Sequence, residues 1–167
     1  DYLSTMKLKW DALPVDVWSP LLSVLRAPLG VHAILGNHDW WEDAEALKRK
    51  AGPTIAGRAL ENAGISVYEN DAVLLRKDNF SFWLTGLGDQ TAFAPLDRRN
   101  PRNWRGIDDV PGTMAKVTTD DPVISLIHEP DAFARMPARI SLTLAGHTHG
   151  GQVRLFGRSF VVPSRFG

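Results

Sequence analysis

Three polar clusters each directly follow a short apolar run, and this arrangement constrains the fold more than any other feature of the sequence. The apolar runs cover 31–35, 123–127 and 140–145. The clusters are Gly36-Asn37-His38-Asp39, His128-Glu129-Pro130 and Gly146-His147-Thr148-His149-Gly150-Gly151. Apolar runs of this length between turn residues are typical of buried strands. Because ligands of open α/β sheets bind outside the carboxyl ends of strands, the clusters predict one shared site.

Segments of helical pattern lie between the strands, which predicts an α/β layered fold. Helices are predicted over 15–26, 42–51 and 55–63, with a short one over 131–136. Further strands are predicted over 65–68, 72–76, 80–85 and 152–156, and an irregular loop over 94–113. With 167 residues the chain fits a single domain, 1–167.

The composition excludes several classes of function. Nineteen basic residues balance nineteen acidic ones, so no nucleic-acid surface is expected. The absence of cysteine excludes thiolate metal sites and thiol catalysis. There is no apolar run near the roughly 18 residues of a membrane-spanning helix and no signal-peptide pattern, so a cytoplasmic location is expected.

The histidines point to a metal site. Four of the five lie in the three clusters, whereas His32 lies inside an apolar run and is expected to pack. Neutral imidazole is the commonest protein metal ligand. His147 and His149 are two residues apart between glycines, where a purely structural role is hard to explain. For His38 and His128 a solvated and a structural role, respectively, are the alternatives. Imidazole, amide and carboxylate ligands together suit Mn, Fe or Zn.

Taken in order, Gly36-Asn37-His38-Asp39, the single His128 and Gly146-His147-Thr148-His149 resemble the calcineurin-like metallophosphoesterases. The residues around Gly150-Gly151-Gln152-Val153 and the end Val162-Pro163-Ser164-Arg165-Phe166-Gly167 look like the bacterial branch of YkuE- and YaeI-type phosphodiesterases. The resemblance implies a four-layer α/β/β/α sandwich. It also implies metal-dependent hydrolysis of a small phosphoester, with a phosphodiester preferred to a monoester.

The resemblance assigns roles to individual residues. Asp1 bridges two metals, and the second metal is completed by Asn37, His128 and His147. His149 belongs to the first metal. His38 assists the leaving group, and Asp39 orients its ring. One or two divalent ions are expected, with Mn favoured over Fe or Zn. In such a site the metal polarises phosphoryl oxygens and activates the attacking water.

This sequence departs from the family pattern at its start. The Asp-x-His motif with its strand is expected upstream of Asp1 and is not in this chain, and the last strands of the family are also expected to be missing. The fragment is then expected to expose apolar edges. Three interpretations stay open: a truncated protein repaired as a homodimer or swapped oligomer, a site with one metal, or an incomplete chain.

Substrate contacts are predicted from two neighbouring features. Arg102 and Arg105 lie in an arginine-rich stretch that suits phosphate binding, with a solvated loop as the alternative. Trp40, directly after the first cluster, is a candidate for walling the pocket, with core packing as the favoured alternative. The competing functions are a non-catalytic metal-binding or oligomerisation module and a different class of metallohydrolase.

Overall fold

A computed structural model describes residues 1–3, 13–97, 104–149, 153–156, 158–162 and 164. Its helices are α1 (Val15–Leu22), α2 (Asn37–Trp41), α3 (Ala44–Arg49), α4 (Ile55–Asn62) and α5 (Val110–Ala115). Its strands are β1 (His32–Ala33), β2 (Ser66–Val67), β3 (Asp71–Lys77), β4 (Phe80–Gly86), β5 (Val123–Ile127), β6 (Leu142–Ala145), β7 (Val153–Leu155) and β8 (Arg158–Val161). Two 3₁₀ turns cover Ala94–Asp97 and Pro130–Arg135.

The strands form parallel and antiparallel pairs. The largest sheet has the order β3-β4-β5-β6, in which β3 pairs with β4 antiparallel and the other two pairs are parallel. β1 and β2 pair in parallel, and β7 and β8 form an antiparallel hairpin. This mixed α/β architecture confirms the predicted fold class and agrees with a calcineurin-like fold.

Apolar packing fixes the first part of the chain around α4. Leu35, at the end of the β1 segment, packs with Leu60 of α4 and with Ile65 before β2, and all three are at most 5% exposed. Tyr2 and Leu3 pack on the same cluster. This packing places the N-terminal residues beside the end of β1, where the first polar cluster begins.

Some elements differ from the sequence-based prediction. The first polar cluster forms the start of helix α2, which no helix prediction covered. Five residues are too few for an apolar period to show in the sequence. Helix α5 begins inside the predicted loop and ends two residues beyond it. Pro111 and Gly112 conceal it in the sequence, and the Asp109 carboxylate caps it by accepting the Gly112 N–H.

The edges of the main sheet agree with the expected apolar exposure. β6 lies at one end of the strand order, and Leu142 and Leu144 on it are 48% and 51% exposed.

The homodimer or swapped oligomer stays a prediction. In the described ranges no helix is long and apolar enough to cross a membrane, and the cytoplasmic location also stays a prediction.

Asp43 joins the starts of two helices, and its loss should destabilise the fold. It is 2% exposed, and its carboxylate accepts the N–H of Ala46 in α3 at 2.9 Å and of Ile55 in α4 at 2.7 Å. Asp43→Ala should lower the free energy of unfolding by about 2 kcal/mol, because the amides at the starts of both helices lose their acceptor. Urea unfolding measures this. Asp16→Ala, an exposed control in α1, should change it by at most about 0.5 kcal/mol; equal effects would contradict the prediction.

Candidate metal centre

The ends of β5 and β6 bring two histidines together. The strands are parallel with Ile127 opposite Ala145, so the residues that follow both strands leave the sheet at the same carboxyl end. The N–H of Gly146 donates to the carbonyl oxygen of His128 at 3.0 Å, which continues the pairing by one step. The His128 and His147 rings lie edge to face with centroids 5.0 Å apart.

Four candidate ligand atoms converge beside these rings. Nε2 of His128 lies 3.2 Å from Nδ1 of His147, and Oδ1 of Asn37 lies 3.1 Å from both nitrogens. Oδ2 of Asp1 lies 3.2 Å from His128 Nε2. One ligand atom each from Asp1, His128 and His147 lies within 4.8 Å of the others. The strand-end argument thus placed Asn37, His128 and His147 correctly at one point.

The chemistry of this group fits a divalent cation. Burial lowers the pKa of His128 to about 4 and also lowers the pKa of His147, so both imidazoles are neutral near pH 7 and offer lone pairs. The ring nitrogens of His128 and His147 therefore lie close to the side-chain oxygens of Asn37 and Asp1, and neither ring carries a positive charge. A shared cation satisfies all four, and mixed nitrogen and oxygen ligands suit transition metals. We infer a candidate metal centre formed by Asp1, Asn37, His128 and His147.

Gly36 is needed here for close approach. Its φ of −111° is ordinary for any residue, so the turn itself does not require glycine. A Cβ at this position would overlap the Asp1 carboxylate and the His128 ring. The small residue therefore lets the backbone before α2 pass directly beneath two candidate ligands.

His147 and His149 both have left-handed backbone geometry, with φ of 67° and 51°. Residues other than glycine rarely adopt it, and such strain is concentrated at functional sites. His147 is half-buried in the metal group, whereas His149 is exposed. The assignment of His149 to a further metal therefore stays a prediction.

His38 lies at the rim of the centre and is half-buried. Burial lowers the pKa of its ring, and the nearby Asp39 and Glu42 carboxylates partly oppose this effect. Its ring lies against that of Trp41, with centroids 5.2 Å apart, and Trp41 lies 6.2 Å from Trp104. The Trp41 and Trp104 rings thus form an aromatic surface beside His38.

Asp39 has contacts that the sequence did not predict. The carboxylate is fully buried and accepts N–H groups from Gly36, Tyr2 and Leu3 at 2.9, 2.7 and 3.0 Å. These contacts connect α2 to the first residues of the chain. The expected orientation of the His38 ring by Asp39 stays a prediction.

The predicted substrate contacts have different outcomes. Trp40 as a pocket wall is wrong, because it is 0% exposed, packs edge-on against Phe93 and donates its indole N–H to Glu69 at 3.0 Å. Its neighbour Trp41 is the tryptophan beside His38. Arg105 is exposed, and its role in binding stays a prediction. Arg102 lies outside the described residues.

A buried carboxyl pair next to His128 was missed. Glu129 is 5% exposed and Asp89 is 1% exposed. Burial and the nearby Glu129 raise the pKa of Asp89 well above its usual range. Thr91 Oγ1 lies within hydrogen-bonding distance of both residues, 2.9 Å from Glu129 Oε1 and 3.3 Å from Asp89 Oδ1. Asp89 lies three residues after the end of β4, so the same strand-end argument could have found it.

Curated proteins share sequence with most of this chain. It is 31% identical over 137 residues to the uncharacterized metallophosphoesterase YkuE of Bacillus subtilis, which covers 81% of this chain and 41% of YkuE. It is 34% identical over 161 residues to the phosphodiesterase YaeI of Escherichia coli, which covers 93% of this chain and 48% of YaeI. The chain is a homologue of these metallophosphoesterases. The resemblance to the YkuE and YaeI branch is thereby confirmed.

A third relative comes from a vertebrate. The metallophosphoesterase homologue is 30% identical over 139 residues to a zebrafish (Danio rerio) transmembrane protein with a metallophosphoesterase domain, covering 79% of this chain and 28% of that protein. The bacterial origin implied by the resemblance therefore stays a prediction. The chain spans less than half the length of these three relatives. No family model and no solved structure matches it.

Proposed function

We propose that the protein containing this chain hydrolyses phosphoesters with a divalent metal held by Asp1, Asn37, His128 and His147. The observation that carries the proposal is the convergence of these four ligand atoms at the ends of separate elements. The names of the homologues, metallophosphoesterase and phosphodiesterase, support the reaction class. When bound, the metal supplies Lewis-acid polarisation of the phosphoryl oxygens and activation of water.

The protein residues prepare this site for the metal. Burial keeps His128 and His147 neutral, so they bind the cation without first losing a proton. The carboxylate of Asp1 adds negative charge that a set of neutral ligands lacks. We assign manganese as the preferred ion. We place His149, two residues after His147, at the first metal of the family pattern.

His38 assists the leaving group in this proposal. Its ring is half-buried, so part of its surface is exposed to solvent. A ring N–H directed at the departing oxygen stabilises the charge that develops there. Trp41 lies against the ring and takes over the role first given to Trp40. Arg105 and Arg102 are proposed to bind a phosphate oxygen through their guanidinium groups.

A phosphodiester is the preferred substrate class. The name of the homologue YaeI, a phosphodiesterase, supports this preference, and the aromatic surface of Trp41 and Trp104 beside His38 suits an apolar second ester group. A phosphomonoester offers only one such group.

Turnover of bis(p-nitrophenyl) phosphate by the full protein with added Mn²⁺ tests the function. Hydrolysis should require the metal and stop with a chelator. His38→Ala should lower turnover by roughly 100- to 10,000-fold, because the leaving oxygen loses its donor. Bound metal, measured by elemental analysis, should be unchanged in the variant.

The same assay separates the proposal from its alternative. A folded, metal-loaded protein with no turnover above that of His38→Ala would show the non-catalytic metal-binding module instead. Faster hydrolysis of p-nitrophenyl phosphate than of the diester would overturn the substrate preference and leave the reaction class intact.

A further inference from the structure

The first three residues and helix α2 hold each other through the carboxylates of Asp39, which is buried, and Asp1. The carboxylate of Asp39 accepts the backbone N–H groups of Tyr2 at 2.7 Å and Leu3 at 3.0 Å. In return, Oδ1 of Asp1 accepts the N–H of His38 at 3.1 Å. The contacts are reciprocal, since each segment supplies a carboxylate to the backbone of the other.

This arrangement fixes the direction of the Asp1 side chain. Oδ1 is held by α2, and Oδ2 then lies 3.2 Å from His128 Nε2, inside the metal group. The side chain of Asp1 is only 12% exposed. Gly36 leaves the space that this position needs, as a Cβ there would overlap the Asp1 carboxylate. The backbone at Tyr2 and Leu3 must therefore stay in place for Asp1 to reach the metal.

Asp39 is suited to hold that backbone. It is 0% exposed and carries two acceptor oxygens, of which Oδ1 takes both N–H groups of residues 2 and 3 and Oδ2 takes the N–H of Gly36. Hydrogen bonds from backbone amides to a buried carboxylate are among the stronger ones in proteins. An amide in its place would set an NH₂ group against one of these donors.

We propose that Asp39 is a positioning residue that holds Asp1 at the metal through the backbone of Tyr2 and Leu3. The inference rests on the metal centre of the proposed function. If this is correct, replacing Asp39 should weaken metal binding. A residue that only orients the His38 ring should instead lower turnover even when the metal is saturating.

Metal titration of the full protein distinguishes these roles. Asp39→Asn should raise the dissociation constant of Mn²⁺ by roughly 10- to 100-fold, the usual effect of losing a residue that orients a ligand. Saturating Mn²⁺ should restore a large part of the lost turnover. Gly36→Ala, which displaces Asp1 but keeps Asp39, should weaken metal binding to a similar degree.

Asp43→Asn is the matched control, because Asp43 is also a buried aspartate that accepts two backbone N–H groups. It should lower stability and leave the Mn²⁺ dissociation constant unchanged. His38→Ala should also leave that constant unchanged. An Asp39→Asn protein with normal metal affinity and turnover that extra metal does not restore would overturn the proposal.

Amide hydrogen exchange in the unaltered protein gives a second test that needs no variant to fold. The amides of Tyr2 and Leu3 should exchange slowly, and rapid exchange at both would overturn the proposal. Both measurements are independent of hydrolysis. A protein that binds Mn²⁺ as expected but turns over no ester would refute the proposed function and leave the role of Asp39 standing.

Discussion

His128→Ala should weaken divalent-metal binding by at least about 100-fold, since even residues that only orient a ligand contribute 10- to 100-fold. His128 is 7% exposed, and its Nε2 lies within 3.2 Å of candidate ligand atoms from Asp1, Asn37 and His147. Its removal takes out the nitrogen at the middle of the group. Calorimetric titration with Mn²⁺ measures the change, and metal-dependent hydrolysis should be lost with it.

His32→Ala is the matched control for this variant. His32 is a half-buried histidine in β1, and its Nδ1 lies 3.0 Å from the Tyr68 hydroxyl and its Nε2 2.8 Å from the Leu29 carbonyl oxygen. It should lose some stability and keep its metal affinity. If both variants bind Mn²⁺ equally well, the four convergent atoms are not the metal centre.

The sequence placed His128 and His147 at the same end of the sheet because the relevant rule is local. A polar residue directly after a buried strand lies at the edge of the sheet wherever the strand is in the fold. This places His128 after β5 and His147 after β6 without any knowledge of the strand order. The parallel pairing of those strands then brings the residues together.

The parts that the sequence missed depend on distant partners. Asp39 meets Tyr2 and Leu3 across 37 and 36 residues, and no local pattern reports such a contact. For a similar reason the sequence does not show which of the adjacent residues Trp40 and Trp41 is buried. Adjacent residues on a short helix point in different directions, and only the packing of Phe93 and Glu69 shows that Trp40 is the buried one.

Glu69 is a further residue whose environment only the fold reveals, and its replacement should stabilise the protein at alkaline pH. Burial raises the pKa of the Glu69 carboxyl from 4.5 to about 7, and the hydrogen bond from the Trp40 indole opposes this only in part. Below pH 4.5 the residue is protonated in both the folded and the unfolded state. Between pH 4.5 and 7 the folded state keeps a proton that the unfolded state releases, so stability falls as the pH rises.

Above pH 7 the ionisation of Glu69 should lower the free energy of unfolding by about 3 kcal/mol, because each unit of pKa shift corresponds to about 1.4 kcal/mol. Glu69→Gln removes the charge and keeps an oxygen for the Trp40 N–H. Urea unfolding at pH 8 should therefore show the variant to be more stable by about this amount, and at pH 4.5 the two proteins should match. Glu45→Gln, an exposed control, should show no such pH dependence. A gain for Glu69→Gln that is the same at both pH values would refute a buried carboxyl with a raised pKa, because only ionisation separates the two conditions.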